Sequence, residues 1–307
     1  MIFSLVLLGL IIIENSHSVL SLAAFRLISN FAIGLIPIFK QQRKDMQERH
    51  KNRTLYFHEL AQTSRKYFIP YIGQFKRLGQ DCRILEIGCG DGGNLLPFAQ
   101  MGCYTLGVDI DEGRIADARK FFADCGAKGD FIASDVFLLE ELQGSFDVII
   151  CHDVIEHIGD KQRFLSLLPE FLASGGIIFM SFPAWQMPFG GHQQICRSRI
   201  LSHLPFVHLL PKSLYRLLLK AFGESDACIR ELMSINETRT QIELFERILI
   251  AVGTFTIKDR ILWLVNPHYE TKFGLRPRRL SRWLGAIPYV RNFFTTSCFY
   301  ILFKSSN

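Results

Sequence analysis

The sequence lacks the cysteine and histidine spacings that mark zinc sites and disulfide-rich proteins. Its eight cysteines form no Cys-x-x-Cys pair and no Cys/His ligand pattern. Several of them lie in predicted strands, where a cysteine is expected to be a small buried apolar residue in a reducing compartment. The sequence therefore predicts neither disulfide bonds nor a metal site.

The chain is also poor in charge. Charged residues make up 21% of its 307 residues, the net charge is +6, and no repeat or low-complexity segment is present. Such a modest charge gives no reason to expect a nucleic-acid partner. The composition is that of a globular protein, with 49% hydrophobic residues and 27 phenylalanines. So many aromatic side chains suggest a large apolar pocket or a membrane-facing surface.

Residues 1–45 lack the basic start of a secretory signal and form an apolar extension. Residues 1–13 are too short to span a bilayer, whereas residues 19–39 have about the right length and precede a basic run at 40–44. Three interpretations stay open: an interfacial anchor, a helix packed on the following domain, or an extension from an upstream start codon, with Met46 as the true start. We expect a cytoplasmic protein, attached to the inner face of the membrane under the first interpretation.

The most informative stretch is residues 83–96. The apolar run at 84–87 predicts a buried strand, the glycines after it allow a tight turn, and a helix should begin near Asn94. A nucleotide can lie against such a loop and the helix N-terminus. However, Glu86 and Asp91 would repel a pyrophosphate. They suit a ligand with a positive centre and free hydroxyls, and S-adenosylmethionine fits that description.

Regular alternation of strands and helices continues after this stretch and predicts an α/β fold. Further strands are expected at residues 104–108, 130–133, 146–150, 177–182, 254–265 and 295–303, the last of them antiparallel. Ligands of such sheets bind at the carboxyl ends of the parallel strands. Five polar side chains fall there: Glu86, Asp109, Asp135, His152 and Asp153.

Four motifs in order resemble the class I S-adenosylmethionine-dependent methyltransferases, most closely the small-molecule and lipid-quinone branch. They are Leu-Glu-Ile-Gly-Cys-Gly-Asp-Gly at 85–92, Val-Asp-Ile-Asp at 108–111, Ser-Asp at 134–135 and Phe-Asp-Val-Ile-Ile-Cys-His-Asp-Val-Ile-Glu-His at 146–157. The resemblance covers about residues 80–183. It implies a Rossmann-like seven-stranded sheet, mostly parallel with an antiparallel last strand, and helices on both faces.

The resemblance also implies roles for individual residues. Glu86 would order the glycine loop and the methionyl amino group, Asp109 would accept the ribose hydroxyls, and Asp135 would accept the adenine amino group. Asp135 could instead only cap its turn. The cofactor-binding residues are accordingly predicted to be Glu86, Gly88, Gly90, Asp109, Ile110, Asp135, Val136 and Asp153.

Histidines are the candidates for catalysis. His152 would face the transferred methyl group, and His192, in a glycine-rich loop, is either a general base or an ordinary polar residue of a lid. Glu156 and His157 suggest an acid/base pair, but in the family such a pair usually holds the loop that follows the fourth strand. Methyl transfer by in-line SN2 displacement requires no metal.

Two insertions are expected to select the acceptor within a single domain over residues 46–307. One is an apolar lid at about 184–252, and the other is a basic segment at about 266–294. Together they suit a small-molecule, glycan or lipid-linked acceptor with an apolar part and an anionic part. The alternative is that the apolar residues pack on the sheet and the arginines face solvent. The sequence does not indicate an oligomeric state.

Two other functions stay open. A nicotinamide-dependent oxidoreductase shares the first crossover and the acid after the second strand, although Glu86 and the motif after the fourth strand argue against it. A membrane-attached binding protein could keep the fold without catalysis. The Asn/Asp-Pro-Pro-Tyr/Phe motif of DNA amino-methyltransferases does not follow the fourth strand.

Overall fold

The computed structural model describes residues 52–139 and 142–305. The apolar extension at 1–45, its three interpretations and Met46 lie outside the described residues. No helix within the described ranges is long and apolar enough to cross a membrane.

Eight strands form one mixed sheet in the order β3-β2-β1-β4-β5-β8-β6-β7. Strands β1 to β5 are parallel neighbours, whereas β8 pairs antiparallel with both β5 and β6, so β6 runs in the direction of the first five strands. The strands are β1 Arg83–Ile87, β2 Tyr104–Asp109, β3 Asp130–Ala133, β4 Phe146–His152, β5 Leu172–Phe182, β6 Phe255–Val265, β7 Arg278–Arg279 and β8 Ser297–Lys304.

The predicted mostly parallel sheet with an antiparallel last strand is confirmed, but the expected strand count of seven is wrong by one. The additional strand is β7, in which Arg278 and Arg279 pair antiparallel with the end of β6. Two exposed arginines carry no alternating apolar pattern, so the sequence had no signal for it.

The helices connect the strands and cover both faces of the sheet. They are α1 Arg53–Thr63, α2 Ile69–Ile72, α3 Leu96–Gln100, α4 Glu112–Asp124, α5 Lys161–Phe171, α6 Arg199–His203, α7 Lys212–Ala221, α8 Asp226–Thr238, α9 Ile242–Val252, α10 His268–Phe273 and α11 Arg282–Gly285. A π-helical turn, Ser64–Phe68, joins α1 to α2. Single 3₁₀ turns fill several of the loops.

Alternate residues of the central strands point to two different apolar cores. On β4, Ile149 packs in a core with α5 and α9, whereas Val148 and Ile150 pack in a second core with α1, α3 and α4. Both sides of β4 are therefore apolar, as expected for a parallel strand buried between two layers of helices. The predicted helices on both faces of the sheet are confirmed.

The segments predicted as a lid and as a basic insertion share a small core. Helices α6, α7, α8 and α11 share a cluster of buried apolar side chains that includes Leu201, Tyr215 and Leu232. Helix α8 ends at Thr238, and a new helix begins at Ile242. The amide of Ile242 donates to the side-chain oxygen of Asn292, which comes from a distant part of the chain. Sequence pattern alone cannot reveal such a cap.

The basic insertion is only partly a solvated face. Arg276, Arg278, Arg279 and Arg282 are exposed. Arg291, however, is buried and forms ion pairs of 2.9 Å with Glu243 and Glu246 of α9. Arg291 therefore adds no free positive charge to the basic insertion, and its partners lie about fifty residues earlier in the sequence.

Replacement of Phe179 by Ala should strongly destabilise the fold. Phe179 is fully buried on β5, where its ring lies 4.9 Å from that of Phe68 and 5.1 Å from that of Phe299. We expect the free energy of unfolding in urea to fall by about 3–5 kcal/mol. Phe222→Ala is the matched control, because that ring is 41% exposed, and it should cost less than about 1 kcal/mol. Equal losses in the two variants would contradict this core assignment.

Candidate functional site

The glycine loop after β1 is held against the end of β2. The amides of Gly88 and Cys89 both donate to the carbonyl oxygen of Val108, at 2.8 and 3.0 Å. Gly88 has φ +69°, and a Cβ there would lie 2.4 Å from a methyl group of Val154. Glycine is therefore required at this position by both the backbone and the packing. Gly90 also has a left-handed conformation, with φ +52°.

Glu86 carries a buried carboxyl group with one free oxygen. The side-chain amide of Asn94 donates to one oxygen at 2.8 Å, and the other oxygen has no hydrogen-bond partner among the described residues. Burial, opposed by the Asn94 hydrogen bond and reinforced by Asp109, raises the pKa of Glu86 to about 8. The free oxygen can accept a hydrogen bond from a ligand amino group. Sequence reasoning did not assign Asn94 a role, although it lies where the next helix was expected to begin.

Asp109 bridges two loops at the carboxyl end of β2. Its carboxylate accepts hydrogen bonds from the amide of Gly90 at 2.8 Å and from that of Asp111 at 2.9 Å. Each oxygen keeps a lone pair for a further donor. Ile110, the next residue, exposes 75% of its surface. The structure therefore brings Asp109, Ile110 and the glycine loop together, as the sequence predicted.

Asp135 caps the turn that follows β3. Its carboxylate accepts a hydrogen bond of 3.0 Å from the amide of Phe137, within the 3₁₀ turn Val136–Leu138. This is the capping arrangement that the sequence left open as an alternative to adenine binding. Val136 is buried in the core with β1 and β2. Most of its side chain is therefore used in packing.

Helix α1 closes one side of the loop. Arg53 forms ion pairs of 2.6 Å with Asp91 of the loop and with Asp117 of α4, and the hydroxyl of Ser64 donates to the carbonyl of Asn94 at 2.8 Å. Among the aromatic residues of α1 and the π-helical turn after it, Phe57 is buried in the core and the hydroxyl of Tyr67 donates to Glu270. Tyr56 instead lies near the charge of Asp153.

The tip of β4 forms the opposite side of the site. The Nδ1 atom of His152 lies within hydrogen-bond distance of the Ser181 hydroxyl, and its Nε2 atom lies 3.6 Å from the carboxylate of Asp153. Asp153 has φ +53°, a left-handed conformation that is uncommon for a residue with a side chain. Its amide donates to the carbonyl of Ser181, and its side chain is 45% exposed. Asp153 is therefore held in place while its carboxylate stays accessible.

Asp153 is surrounded by side chains from several segments. Burial, and after it the charge of Asp153, raises the pKa of Tyr56 to about 12 and also raises the pKa of Tyr269. Tyr56 comes from α1 and Tyr269 from α10, so the two phenols approach from opposite ends of the chain. Tyr269, in the basic insertion, was missed because no pattern links it to the strand ends.

Three further side chains meet beside Asp153. The ligand atoms of Glu156, His157 and His192 lie within 4.8 Å of one another, and the two imidazole rings are 5.4 Å apart in an edge-to-face arrangement. Burial, and then the neighbouring His157, lowers the pKa of His192 to about 4. Burial raises the pKa of Glu156 well above its usual value, and neither of its oxygens has a partner among the described residues. A neutral imidazole next to a protonated carboxyl group can accept or relay a proton.

This cluster is also a set of atoms that can hold a divalent cation, although the sequence predicted no metal site. The main chain of Glu156 has a structural part as well, because its carbonyl accepts a hydrogen bond from the hydroxyl of Thr238 in α8. The loop-holding role suggested for the Glu156–His157 pair therefore applies to the backbone, whereas both side chains face the cluster.

The segment that contains most of these residues matches a known family. Residues 85–178 match the profile of the family described as a methyltransferase domain. The matched segment runs from β1 into β5 and includes the glycine loop, Asp109, Asp135 and the tip of β4. Over this segment the chain is thus similar to methyltransferase domains, and the resemblance stated from its motifs is confirmed.

Individual relatives cover the same part of the chain. The ubiquinone biosynthesis O-methyltransferase of Sinorhizobium medicae is 36% identical over 99 residues, which are 32% of this chain and 40% of that protein. An uncharacterized protein of Rickettsia prowazekii, RP028, is 34% identical over 116 residues, 35% of this chain and 46% of that protein. The chain therefore spans less than half the length of the curated relatives that it matches.

Solved structures resemble the chain over a greater length. The crystal structure of a putative sarcosine dimethylglycine methyltransferase from Galdieria sulphuraria superposes with a TM-score of 0.51, covering 77% of this chain and 83% of that one. The sequence identity is 12%, so this likeness concerns the fold alone.

The buried carboxyl group of Glu86 should make the stability of the ligand-free protein depend on pH. Its pKa is about 8 in the fold and about 4.5 in an unfolded chain, so the folded protein binds the proton more tightly. Stability should therefore fall as pH rises from about 4.5 to about 8, by roughly 1.4 kcal/mol per pH unit. Glu86→Gln removes this contribution.

Urea unfolding of both proteins at several pH values measures the effect. From pH 5 to pH 8 the free energy of unfolding should fall more in the wild type than in Glu86→Gln. Because the two proteins share all other titratable groups, this comparison cancels their contributions. A difference between the two proteins that does not change with pH would show that Glu86 is ionised in the fold at neutral pH.

Proposed function

We propose that the protein is an S-adenosylmethionine-dependent methyltransferase that transfers a methyl group to an oxygen atom of a small-molecule acceptor. The observation that carries this proposal is the set of groups at the carboxyl ends of β1 and β2. A buried carboxyl group with one free oxygen, a left-handed glycine loop and an accessible aspartate lie next to one another inside the segment that matches a methyltransferase family.

These groups fit the cofactor chemically. The free oxygen of Glu86 suits the amino group, the remaining lone pairs of Asp109 suit the ribose hydroxyls, and exposed Ile110 offers an apolar surface for the base. The acids also favour a positively charged ligand over a pyrophosphate. Asp135 is proposed as the acceptor for the adenine amino group through the carboxylate oxygen that does not cap the turn. Because Gly88 and Gly90 have no side chains, the backbone of the loop can approach the ligand closely.

When bound, the cofactor would supply an electrophilic methyl group, which passes to the acceptor oxygen in line with the carbon–sulfur bond while S-adenosylhomocysteine leaves. The chain then has two tasks, which are to align the acceptor oxygen and to remove its proton. Asp153 is proposed to align it, because its carboxylate is accessible at the tip of β4, and Tyr56 and Tyr269 are the neighbouring phenols whose pKa values its charge raises. His152 acts by holding Asp153 in its left-handed conformation.

His192 is the proposed general base. It is neutral at physiological pH because burial holds its pKa near 4, and it faces the cluster beside Asp153. A base of such low pKa suits an acceptor hydroxyl that becomes acidic only as the bond to the methyl group forms. The relatives named as O-methyltransferases support oxygen as the acceptor atom.

The insertions suit an acceptor with an apolar part and an anionic part, as in a lipid-linked or phosphorylated sugar. Four exposed arginines of the basic insertion lie near exposed Trp283 in sequence. Such a surface also suits peripheral contact with a cytoplasmic membrane face.

Calorimetry with S-adenosylhomocysteine and with NADH tests the cofactor. We expect binding of S-adenosylhomocysteine, and replacement of Asp109 by Ala should weaken it by about 1.5–3 kcal/mol, as loss of a charge-assisted hydrogen bond predicts. Asp124→Ala, at the exposed end of α4, is the matched control and should bind normally. Binding of NADH alone would instead favour the oxidoreductase, and an unchanged affinity in Asp109→Ala would contradict the ribose assignment.

Transfer of labelled methyl groups into lipid and aqueous fractions of a bacterial extract tests catalysis. Replacement of His192 by Asn, which tolerates the left-handed conformation, should lower the rate about 10²- to 10⁴-fold while S-adenosylhomocysteine still binds. His58→Asn, on the exposed side of α1, should keep the wild-type rate. If His192→Asn also keeps it, His192 is an ordinary lid residue. If cofactor binds but no fraction is labelled, the non-catalytic alternative is favoured.

A further inference from the structure

A second cluster of metal-ligating groups lies inside the lid, away from the strand ends. The ligand atoms of Cys196, Glu224 and Cys228 lie within 4.8 Å of one another, and the two thiols are within hydrogen-bond distance. Cys196 is 3% exposed and Glu224 is 7% exposed, whereas Cys228 is half-buried. Among the described residues this is one of two such groups, and the other is the Glu156 cluster of the proposed active site.

The carboxylate of Glu224 is oriented by backbone amides and has no cationic partner among the described residues. It accepts hydrogen bonds from the amides of Arg197 at 3.0 Å and Ser198 at 2.8 Å, one on each oxygen. Within residues 52–139 and 142–305 no ion pair to this carboxylate is formed. A buried carboxylate with only neutral donors is expensive unless a positive charge lies nearby. Each oxygen keeps a lone pair, so the two amides act as supports that leave room for a cation.

Tyr215 supplies an independent observation. It lies in α7, is fully buried, and its hydroxyl has no hydrogen-bond partner among the described residues. Its ring packs in the same apolar cluster as Cys196 and Cys228. A buried polar group without a partner costs about 1–3 kcal/mol. The fully buried hydroxyl thus points to a ligand that completes the cluster.

We propose that Cys196, Cys228 and Glu224 bind a zinc ion, with the Tyr215 hydroxyl at or next to the fourth position. Zinc takes four ligands tetrahedrally, with bonds of about 2.3 Å to sulfur and about 2.0–2.2 Å to carboxylate oxygen. Ligand atoms in such a site are about 3.6–3.8 Å apart, which agrees with a cluster confined within 4.8 Å. The ion binds as Zn²⁺, and both thiols release their protons to solvent.

The ion would join three parts of the lid. Cys196 follows the loop that holds His192, Glu224 lies in the turn after α7, and Cys228 is in the first turn of α8. The site is structural, since all of its ligands come from the protein and none faces Asp153. It does not depend on the methyl-transfer proposal.

Cobalt is the probe for this site, because Co²⁺ replaces zinc and absorbs in the near ultraviolet when thiolates bind it. Reduced full-length protein should bind one Co²⁺ with this absorption, and zinc should displace it. Cys228→Ser should weaken binding at least 100-fold and lower the thiolate absorption, and Tyr215→Phe should keep the absorption but alter the visible bands. Circular dichroism of the metal-free variants checks that they are folded.

Cys103→Ser is the matched control. Cys103 forms a second hydrogen-bonded thiol pair, with Cys82, that belongs to neither group of metal-ligating atoms in the described residues. This variant should bind cobalt as the wild type does. The proposal fails if no thiolate absorption appears, if Cys228→Ser binds as well as the wild type, or if mass spectrometry after alkylation finds Cys196 joined to Cys228 by a disulfide.

Discussion

The fold depends on one arrangement of hydrogen bonds, in which the end of β2 holds the glycine loop of β1. The Val108 carbonyl and the Asp109 carboxylate together accept three amides of this loop, from Gly88, Cys89 and Gly90. Because these hydrogen bonds hold the loop against the sheet, α1 can pack directly over the loop. The buried carboxyl group of Glu86 lies beneath the loop and keeps one oxygen without a partner among the described residues. The same contacts set the distance between the β1 and β4 ends, where Val154 fills the space left by the missing side chain of Gly88.

Around this arrangement the chain places groups whose protonation is set by burial. Glu86 and Glu156 are held protonated, and His192 is held neutral, each mainly because the surrounding protein excludes water. Asp153 is the exception, since its carboxylate stays accessible among two phenols and two imidazoles. Buried neutral acids, a buried neutral imidazole and the accessible carboxylates of Asp109 and Asp153 together favour a cationic ligand, and the neutral groups can move a proton without prior ionisation.

The sequence predicted those features that depend on residues close together in the chain. The strands around the glycine loop follow from short apolar runs, and the places of Asp109 and Asp153 follow because polar residues after such runs lie at one edge of the sheet. What it missed depends on contacts between distant segments. Asn292 caps α9 from about fifty residues away, Arg291 pairs with acids of that same helix, and Tyr269 reaches Asp153 from the basic insertion. The two thiols of the lid are also far apart in sequence. No periodicity records these contacts, because each is set by how the lid folds back on the sheet.

The left-handed backbone at Asp153 and His192 has an evolutionary consequence. Residues with side chains adopt this conformation at a cost of about 1–2 kcal/mol each, and glycine would adopt it freely. Selection for stability alone would therefore drive both positions towards glycine. An aspartate and a histidine at these two points therefore cost backbone stability that glycine would not, and both side chains belong to the proposed site.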